Sequence, residues 1–125
     1  MKTYKTIVLG ATTNPNRYAY RAVEMLRQKN IEVIPIGIRK GNTAGLKIHN
    51  DLPPIDNVHT ITLYINATTQ KEYYDYILAL KPKRVIFNPG TENTELYGLL
   101  KQHKPDIQIE IACTLVMLSI GNYEI

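Results

Sequence analysis

The sequence predicts an α/β domain: a doubly wound, parallel five-stranded sheet with helices on both faces. Three observations predict it. Short apolar runs alternate with stretches of helical periodicity along the whole chain, the pattern of βαβ units. The first run, Ile7-Val8-Leu9, breaks at Gly10 into the small polar turn Ala11-Thr12-Thr13-Asn14-Pro15-Asn16, which opens directly onto a helix. With 125 residues there is room for one domain with a real core and little length for a second, so residues 1–125 are read as a single unit.

Each element follows from its residues. Thr6–Leu9 is the first strand. Within residues 17–29 the apolar positions Tyr18, Ala22, Met25 and Leu26 fall at i, i+4, i+7 and i+8, a helical stripe, and Asn16 stands where a cap belongs. Residues 31–36 are a second apolar run rich in β-branched side chains. Residues 38–56, with their glycines and Pro53-Pro54, read as an irregular connection. In the third strand Ile61, Leu63 and Ile65 alternate with Thr60, Thr62 and Tyr64. Thr69-Gln70-Lys71-Glu72 has the form of a capping box opening the second helix, which Leu80-Lys81-Pro82 ends. Arg84–Phe87 is the fourth strand, broken by Asn88-Pro89-Gly90. A helix carrying Leu96, Leu99 and Leu100 runs to Lys104-Pro105. Ile107, Ile109 and Ile111 mark the fifth strand, and a last helix runs from about Cys113 to Gly121. Right-handed crossovers place helices on both faces, and the predicted strand order is 3-2-1-4-5. Ligands in such sheets sit beyond the carboxyl ends of the strands, where the order reverses. In that arrangement residues 10–16, 37–40, 66–68 and 88–90 converge there.

Composition excludes several classes. Hydrophobic residues are 44% and charged residues 21% of the chain, ordinary for a soluble globular protein. No apolar run approaches the roughly 20 residues of a membrane span, and Met1-Lys2-Thr3-Tyr4-Lys5 leads to a strand with no signal-peptide core. The single Cys113 excludes an intramolecular disulfide and fits a reducing compartment, so a cytoplasmic location is expected. The net charge of +4 comes from scattered Lys and Arg, either a solvated basic surface or an attraction for polyphosphate. No aromatic-plus-basic stripe accompanies it, which disfavours nucleic acid. No paired carboxylates or metal cluster stand out. His49, His59 and His103 have no carboxylate or Cys at ligand spacing and read as surface or loop residues. Tyrosine occurs nine times against one Phe, and Tyr73, Tyr74 and Tyr76 read as packing residues of the second helix.

The turn after the first strand is a concavity where backbone amides and a helix N-terminus favour an anion. It is not a complete GxGxxG: Gly10 matches the first glycine, while Thr12 and Pro15 occupy the second and third places. A Thr limits close backbone approach, although its hydroxyl can donate to a phosphate; Asn14 and Asn16 tolerate unusual backbone angles. A tight turn without ligand and a phosphate site are both open on these residues alone. The end of the second strand discriminates further. An NAD site needs an Asp or Glu there, about 20 residues beyond the glycine loop. This chain has Gly37-Ile38-Arg39-Lys40, and Glu32 lies at the wrong end of the strand. The basic pair is either a solvated turn or a site for an extra ribose phosphate, which both NADP and coenzyme A (CoA) carry.

The chain resembles the small CoA-binding proteins, whose fold is that of the CoA-binding domain of the succinyl-CoA synthetase α subunit. The resemblance covers nearly the whole chain. It rests on Val8-Leu9-Gly10-Ala11-Thr12-Thr13-Asn14-Pro15-Asn16-Arg17-Tyr18, on Val33-Ile34-Pro35-Ile36, on Asn88-Pro89-Gly90 followed by Glu92, and on Ile111-Ala112-Cys113-Thr114. It implies a Rossmann-like domain in which Gly10, Ala11, Thr12, Asn14 and Arg17 surround the pyrophosphate, Lys40 lies by the ribose phosphate and Asn66 near the pantetheine. Tyr18, Gly37, Arg39, Asn88, Pro89 and Gly90 complete the candidate binding residues. In the synthetase the phosphorylated histidine lies outside this domain, and nothing here replaces it. Cys113 has two readings, a reactive thiol able to form a mixed disulfide with CoA and a small buried side chain. The function expected is non-catalytic binding of CoA or an acyl-CoA. The alternatives are a small NADP-dependent oxidoreductase, a nucleotide-binding regulatory subunit and a ligand-free scaffold. Expected partners are the small-molecule ligand and either a second copy or a partner enzyme, with no nucleic acid and no membrane.

Overall fold

Thr6–Leu9 (β1) is buried at every residue, a state that a strand reaches inside a sheet covered on both faces. In the computed structural model, which describes residues 3–124, β1 is followed by α1 (Tyr18–Gln28), β2 (Val33–Ile36) and a small hairpin of β3 (Asn42–Thr43) and β4 (Leu46–Lys47). Next come β5 (Thr60–Leu63), α2 (Ala67–Gln70), a 3₁₀ turn over Lys71–Tyr73 and α3 (Tyr74–Leu80). The chain ends with β6 (Arg84–Phe87), α4 (Thr94–His103), β7 (Gln108–Ile111) and α5 (Thr114–Ser119). Of the residues 1–125 read as one unit, Met1, Lys2 and Ile125 lie outside the described residues.

Five parallel strands form the sheet in the order β2-β1-β5-β6-β7. Counted along the chain, this is 2-1-3-4-5, which corrects the expected 3-2-1-4-5. The reason is Pro35. The carbonyls of Glu32 and Ile36 face β1, accepting from Thr6 N and Gly10 N, so the polar groups of Pro35 face the other way. On that outer edge its carbonyl accepts from His49 N at 2.9 Å, but it has no N–H to give back. Proline confines a strand to the sheet edge, and the edge takes only a single bridge, Ile36 to His49. The third strand therefore crosses to the far side of β1.

The connection read as irregular contains the β3–β4 hairpin. Its turn residues Ala44 (φ 47°) and Gly45 (φ 86°) both have the positive φ that a two-residue type I′ turn demands. Helix starts also differ from expectation. Asn16 does not cap α1: its amide donates to Asn14 Oδ1 at 3.0 Å, and Arg17 holds the N-cap position without a side-chain bond. The second helix is capped by Asn66, whose Oδ1 accepts from Thr69 N at 2.9 Å, not by a box beginning at Thr69. Gln70 is buried and donates to the Ile65 and Thr91 carbonyls, both at 2.8 Å, so the segment serves as a tether between loops. The helix ends at Leu80-Lys81-Pro82 as expected, with Lys81 in the left-handed region, φ 50°, rather than in the extended conformation that a residue before proline favours. The last helix is shorter than expected, beginning at Thr114 with Cys113 as N-cap.

Each face of the sheet carries a pair of helices. Ile7, Leu9, Ile61, Val85 and Phe87 pack with Ile77 of α3 and Leu96 and Leu100 of α4. Val8, Val33 and Ile86 pack with Ala19, Val23 and Leu26 of α1 and Met117 and Leu118 of α5. With helices on both faces, even the polar positions of the third strand are covered: Thr60 and Thr62 are 0% exposed. Their hydroxyls are partnered: Thr62 Oγ1 lies 2.7 Å from Thr114 Oγ1, and Thr60 Oγ1 accepts from Arg84 Nε at 2.9 Å. Arg84 is itself buried, 1% exposed. Its Nη1 donates to the Tyr123 carbonyl at 2.8 Å, and its guanidinium lies 4.2 Å from the centre of the Tyr123 ring. Tyr123 Oη in turn lies 2.6 Å from Thr6 Oγ1.

Truncating Arg84 leaves a cavity and strips the Thr60 hydroxyl and Tyr123 carbonyl of a donor. Arg84→Ala should cost about 3 kcal/mol in urea unfolding, whereas the bulk-preserving Arg84→Met should cost within about 1 kcal/mol. Equal losses for the two variants would contradict this account.

Candidate functional site

The site is built where β1, β2 and β5 end together. Gly10 turns the chain with φ 103°, and the amides of Gly10 and Ala11 both donate to the Ile36 carbonyl, at 2.8 and 2.9 Å. These two amides are thus occupied within the protein. The sequence predicts outward-facing amides in this turn; these two are not among them, and the unpaired amides lie further along. There, Thr12 Oγ1 accepts from Asn14 N at 3.2 Å, Asn14 Oδ1 accepts from Asn16 N, and Arg17 N donates to the Asn14 carbonyl at 3.1 Å. These local turns bring the chain to the start of α1. Its first amides have no intrahelical acceptor, and Arg17 supplies no side-chain cap.

Three loops interlock around this turn. A Cβ on Gly37 would lie 2.4 Å from the Ala11 carbonyl oxygen, and one on Gly41 would lie 2.7 Å from Thr13 Cγ2. A Cβ on Gly10 would meet Ile65 Cγ2 at 2.9 Å and the Tyr64 carbonyl carbon at 3.0 Å. The glycine at position 10 is therefore demanded by the β5 loop beside it as well as by its positive φ.

Together the loops enclose a cavity of about 410 Å³, within the range of small-molecule sites. The first loop and α1 contribute Gly10, Ala11, Thr12, Arg17, Tyr18 and Ala19; the loop after β2 contributes Gly37, Ile38 and Arg39; and the chain after β5 contributes Tyr64, Ile65, Thr69 and Tyr73. Two guanidinium-bearing residues and no acidic residue line it, so its electrostatics favour an anion. Tyr18 and Ile38, 67% and 84% exposed, offer apolar surface at the cavity. The Tyr64 hydroxyl is buried without a hydrogen-bond partner, and burial pushes it well above the usual tyrosine range, against the smaller opposing effect of Thr114.

Of the residues expected here, Gly10, Ala11, Thr12, Arg17, Tyr18, Gly37 and Arg39 line the cavity. Asn14 lies in the same loop and Lys40 follows Arg39 at the exposed surface, both off the lining. Asn66 is an exposed helix cap. Asn88 is buried, its Nδ2 donating to Thr62 Oγ1 at 2.7 Å and the Leu63 carbonyl at 2.8 Å, and its Oδ1 accepting from Thr114 N at 2.8 Å. Pro89 and Gly90 are exposed and off the lining. The expected strand order explains why residues 88–90 were grouped with the site: it puts the reversal between the first and fourth strands. In the observed order the reversal falls between β1 and β5, which brings in Tyr64, Ile65, Thr69 and Tyr73. Pro35 was the available signal.

Cys113 is half-buried at the start of α5 and does not line the cavity. His49 and His103 are exposed, and the His59 ring packs against Tyr4 in a tilted arrangement, 53° between planes, with centroids 4.4 Å apart. Among the described residues there is no cluster of His, Cys, Asp and Glu able to hold a metal ion, and no helix is long and apolar enough to cross a membrane.

The profile of the CoA binding domain family matches residues 4–119. No curated protein matches the chain. Among solved structures, the crystal structure of an uncharacterized protein is 52% identical, covers 98% of this chain and 100% of its own, and superposes with a TM-score of 0.92. A Thermus thermophilus protein, cell-free ID.343, is 21% identical, with 97% and 91% of the two chains covered and a TM-score of 0.81. A hypothetical protein from Pyrococcus horikoshii OT3 is 19% identical, with 96% and 85% covered and a TM-score of 0.81. The last two likenesses establish the fold.

The interlocked loops make a contrasting pair of glycine substitutions informative. Gly37→Ala drives a methyl into the Ala11 carbonyl and should lower stability by about 2 kcal/mol. In the middle of α4, a Cβ on Gly98 meets nothing within 4 Å, so Gly98→Ala should raise stability by about 0.5–1 kcal/mol. Thermal or urea unfolding of the two variants reads both signs; a neutral Gly37→Ala would refute the close contact.

Proposed function

Because the chain belongs to the CoA binding domain family, we propose that the cavity at the β1–β5 reversal binds coenzyme A or an acyl-CoA without performing chemistry on it. The observation that carries this reading is the pairing of Arg17 and Arg39 across a cavity with no acidic lining. An NAD site places a carboxylate at the end of the second strand to bond the ribose hydroxyls. Here that position opens onto Gly37, Ile38 and Arg39, with Lys40 next in the chain.

The parts divide by chemistry. A pyrophosphate lies best against the start of α1, where unpaired amides and the helix dipole favour negative charge, with the Thr12 hydroxyl and Arg17 beside it. A ribose 3′-phosphate is served by Arg39, whose planar guanidinium can donate two parallel hydrogen bonds to phosphate oxygens, and by Lys40. The pantetheine, whose gem-dimethyl and methylene segments are apolar, can follow the wall of Ile65 and Tyr73 after β5. Chemistry at the CoA thiol then belongs to a partner enzyme, and a cytoplasmic setting is the compartment in which such a carrier meets one. An NADP-dependent oxidoreductase shares the need for an extra phosphate, and the family match is what favours CoA over it.

Isothermal titration in modest salt with CoA, dephospho-CoA, NADP and NAD tests the reading. CoA should bind most tightly, and loss of the 3′-phosphate should weaken binding about fivefold, the modest effect of a partly solvated ion pair. Arg39→Ala should weaken CoA by a similar factor and leave dephospho-CoA unchanged, with Lys40→Ala a smaller version of the same pattern. The double-mutant comparison isolates the pairing itself. NAD binding as tightly as CoA, or no coupling at either residue, would overturn the assignment.

A further inference from the structure

We infer that Asn50 is a positioning residue for phosphate recognition: its side-chain amide holds the loop that presents Arg39. The inference rests on the CoA reading of the cavity and adds to it a residue that touches no ligand. The segment after β2 is peculiar in how little fixes it. Ile38, Arg39, Lys40 and Gly41 are all exposed, and Ile38, the apolar residue among them, is 84% exposed, so the core does not anchor this loop. The backbone holds its two ends, with Gly37 N donating to the His49 carbonyl at 3.0 Å and Ile48 N to the Gly41 carbonyl at 2.9 Å. Between those ends, Asn50 Nδ2 donates to both the Gly37 and the Arg39 carbonyls, each at 2.9 Å.

One amide with two hydrogens thus bridges the start and the middle of the loop. Its own backbone is held in place because the neighbouring His49 is bridged to Ile36 on the β2 edge. The main chain of Arg39 is fixed relative to the sheet, and with it the root of a long side chain on the cavity wall. Ordering a rotamer-rich side chain on binding has an entropic cost, and fixing its root lowers that cost before the ligand arrives. The benefit falls on the ligand group that Arg39 meets, not on groups bound at the start of α1. Asn50 should therefore govern the preference for a ligand bearing a 3′-phosphate, and not affinity in general.

The test compares wild type, Asn50→Ala and the nearly isosteric Asn50→Leu, each titrated with CoA and with dephospho-CoA. Far-UV circular dichroism and the melting temperature confirm folding, which an exposed side chain should not compromise. Both variants should bind CoA roughly threefold to tenfold more weakly, the scale of the hydrogen bonds lost, with dephospho-CoA affinity unchanged, so the preference for CoA narrows. Amide exchange at Gly37 and Ile48, whose hydrogen bonds close the two ends of the loop, should accelerate in both variants. If wild type prefers CoA and the variants keep that preference, or if both ligands weaken alike, Asn50 is not a positioning residue for the phosphate. If wild type itself does not distinguish the two ligands, the CoA reading of the basic loop falls, and the role of Asn50 falls with it.

Discussion

The carbonyl of Ile36 accepts the amides of both Gly10 and Ala11, and the candidate site depends on that junction. It ties the end of β2 to the turn that leaves β1, and it brings Gly37 so close to Ala11 that no side chain fits between them. On the other flank, Gly10 packs against Tyr64 and Ile65 at the end of β5. The three loops cannot move independently. A crevice whose walls are locked in this way is largely formed before any ligand arrives, which reduces the ordering cost of binding.

The same junction determines what the crevice can bind. With Gly10 and Ala11 engaged to Ile36, the anion-favouring groups are those further on, at Thr12 and the start of α1. Arg17 and Arg39 flank them from different loops. Below the crevice the interior is unusually polar for a parallel sheet. Asn88 connects β5, β6 and α5 through Thr62, Leu63 and Thr114, and Gln70 ties the β5 loop to Thr91. Buried networks of this kind fix one arrangement of the loops, because any alternative leaves polar groups without partners. They hold the site in shape from beneath.

Much of this was legible in the sequence, and the misreadings have physical causes. Alternating periodicity located all five strands of the sheet, because Ile, Val and Leu runs of strand length between helical stripes have few other solutions. Gly10 and the polar turn marked the site because a strand ending on a glycine before a helix is a local signal. Strand order is not local. It depends on which edge of β2 is open, and only Pro35 reports that, through a missing N–H rather than through hydrophobicity. The burial of Thr60 and Thr62 followed from helices on both faces, but alternation shows where apolar residues lie and not which hydroxyls find buried partners. Asn88 and Asn66 carry the polar character of binding residues, yet one is a buried bracket and the other a helix cap. Asn50 lacked any sequence signal, because its partners, Gly37 and Arg39, lie more than ten residues away across an irregular connection.

The central claim is that the crevice at the β1–β5 reversal takes CoA, with the start of α1 and the Arg39 loop meeting its phosphates. Titration of the isotope-labelled chain with CoA, followed residue by residue through backbone amide shifts, tests it most directly. The account predicts saturable shifts concentrated at Thr12, Thr13, Tyr18, Ala19 and Ile38, Arg39 and Lys40, with the amides of β7 and the opposite end of the sheet around Arg84 and Tyr123 unmoved. An absence of saturable shifts, or shifts centred on Arg84 and Tyr123, would contradict it.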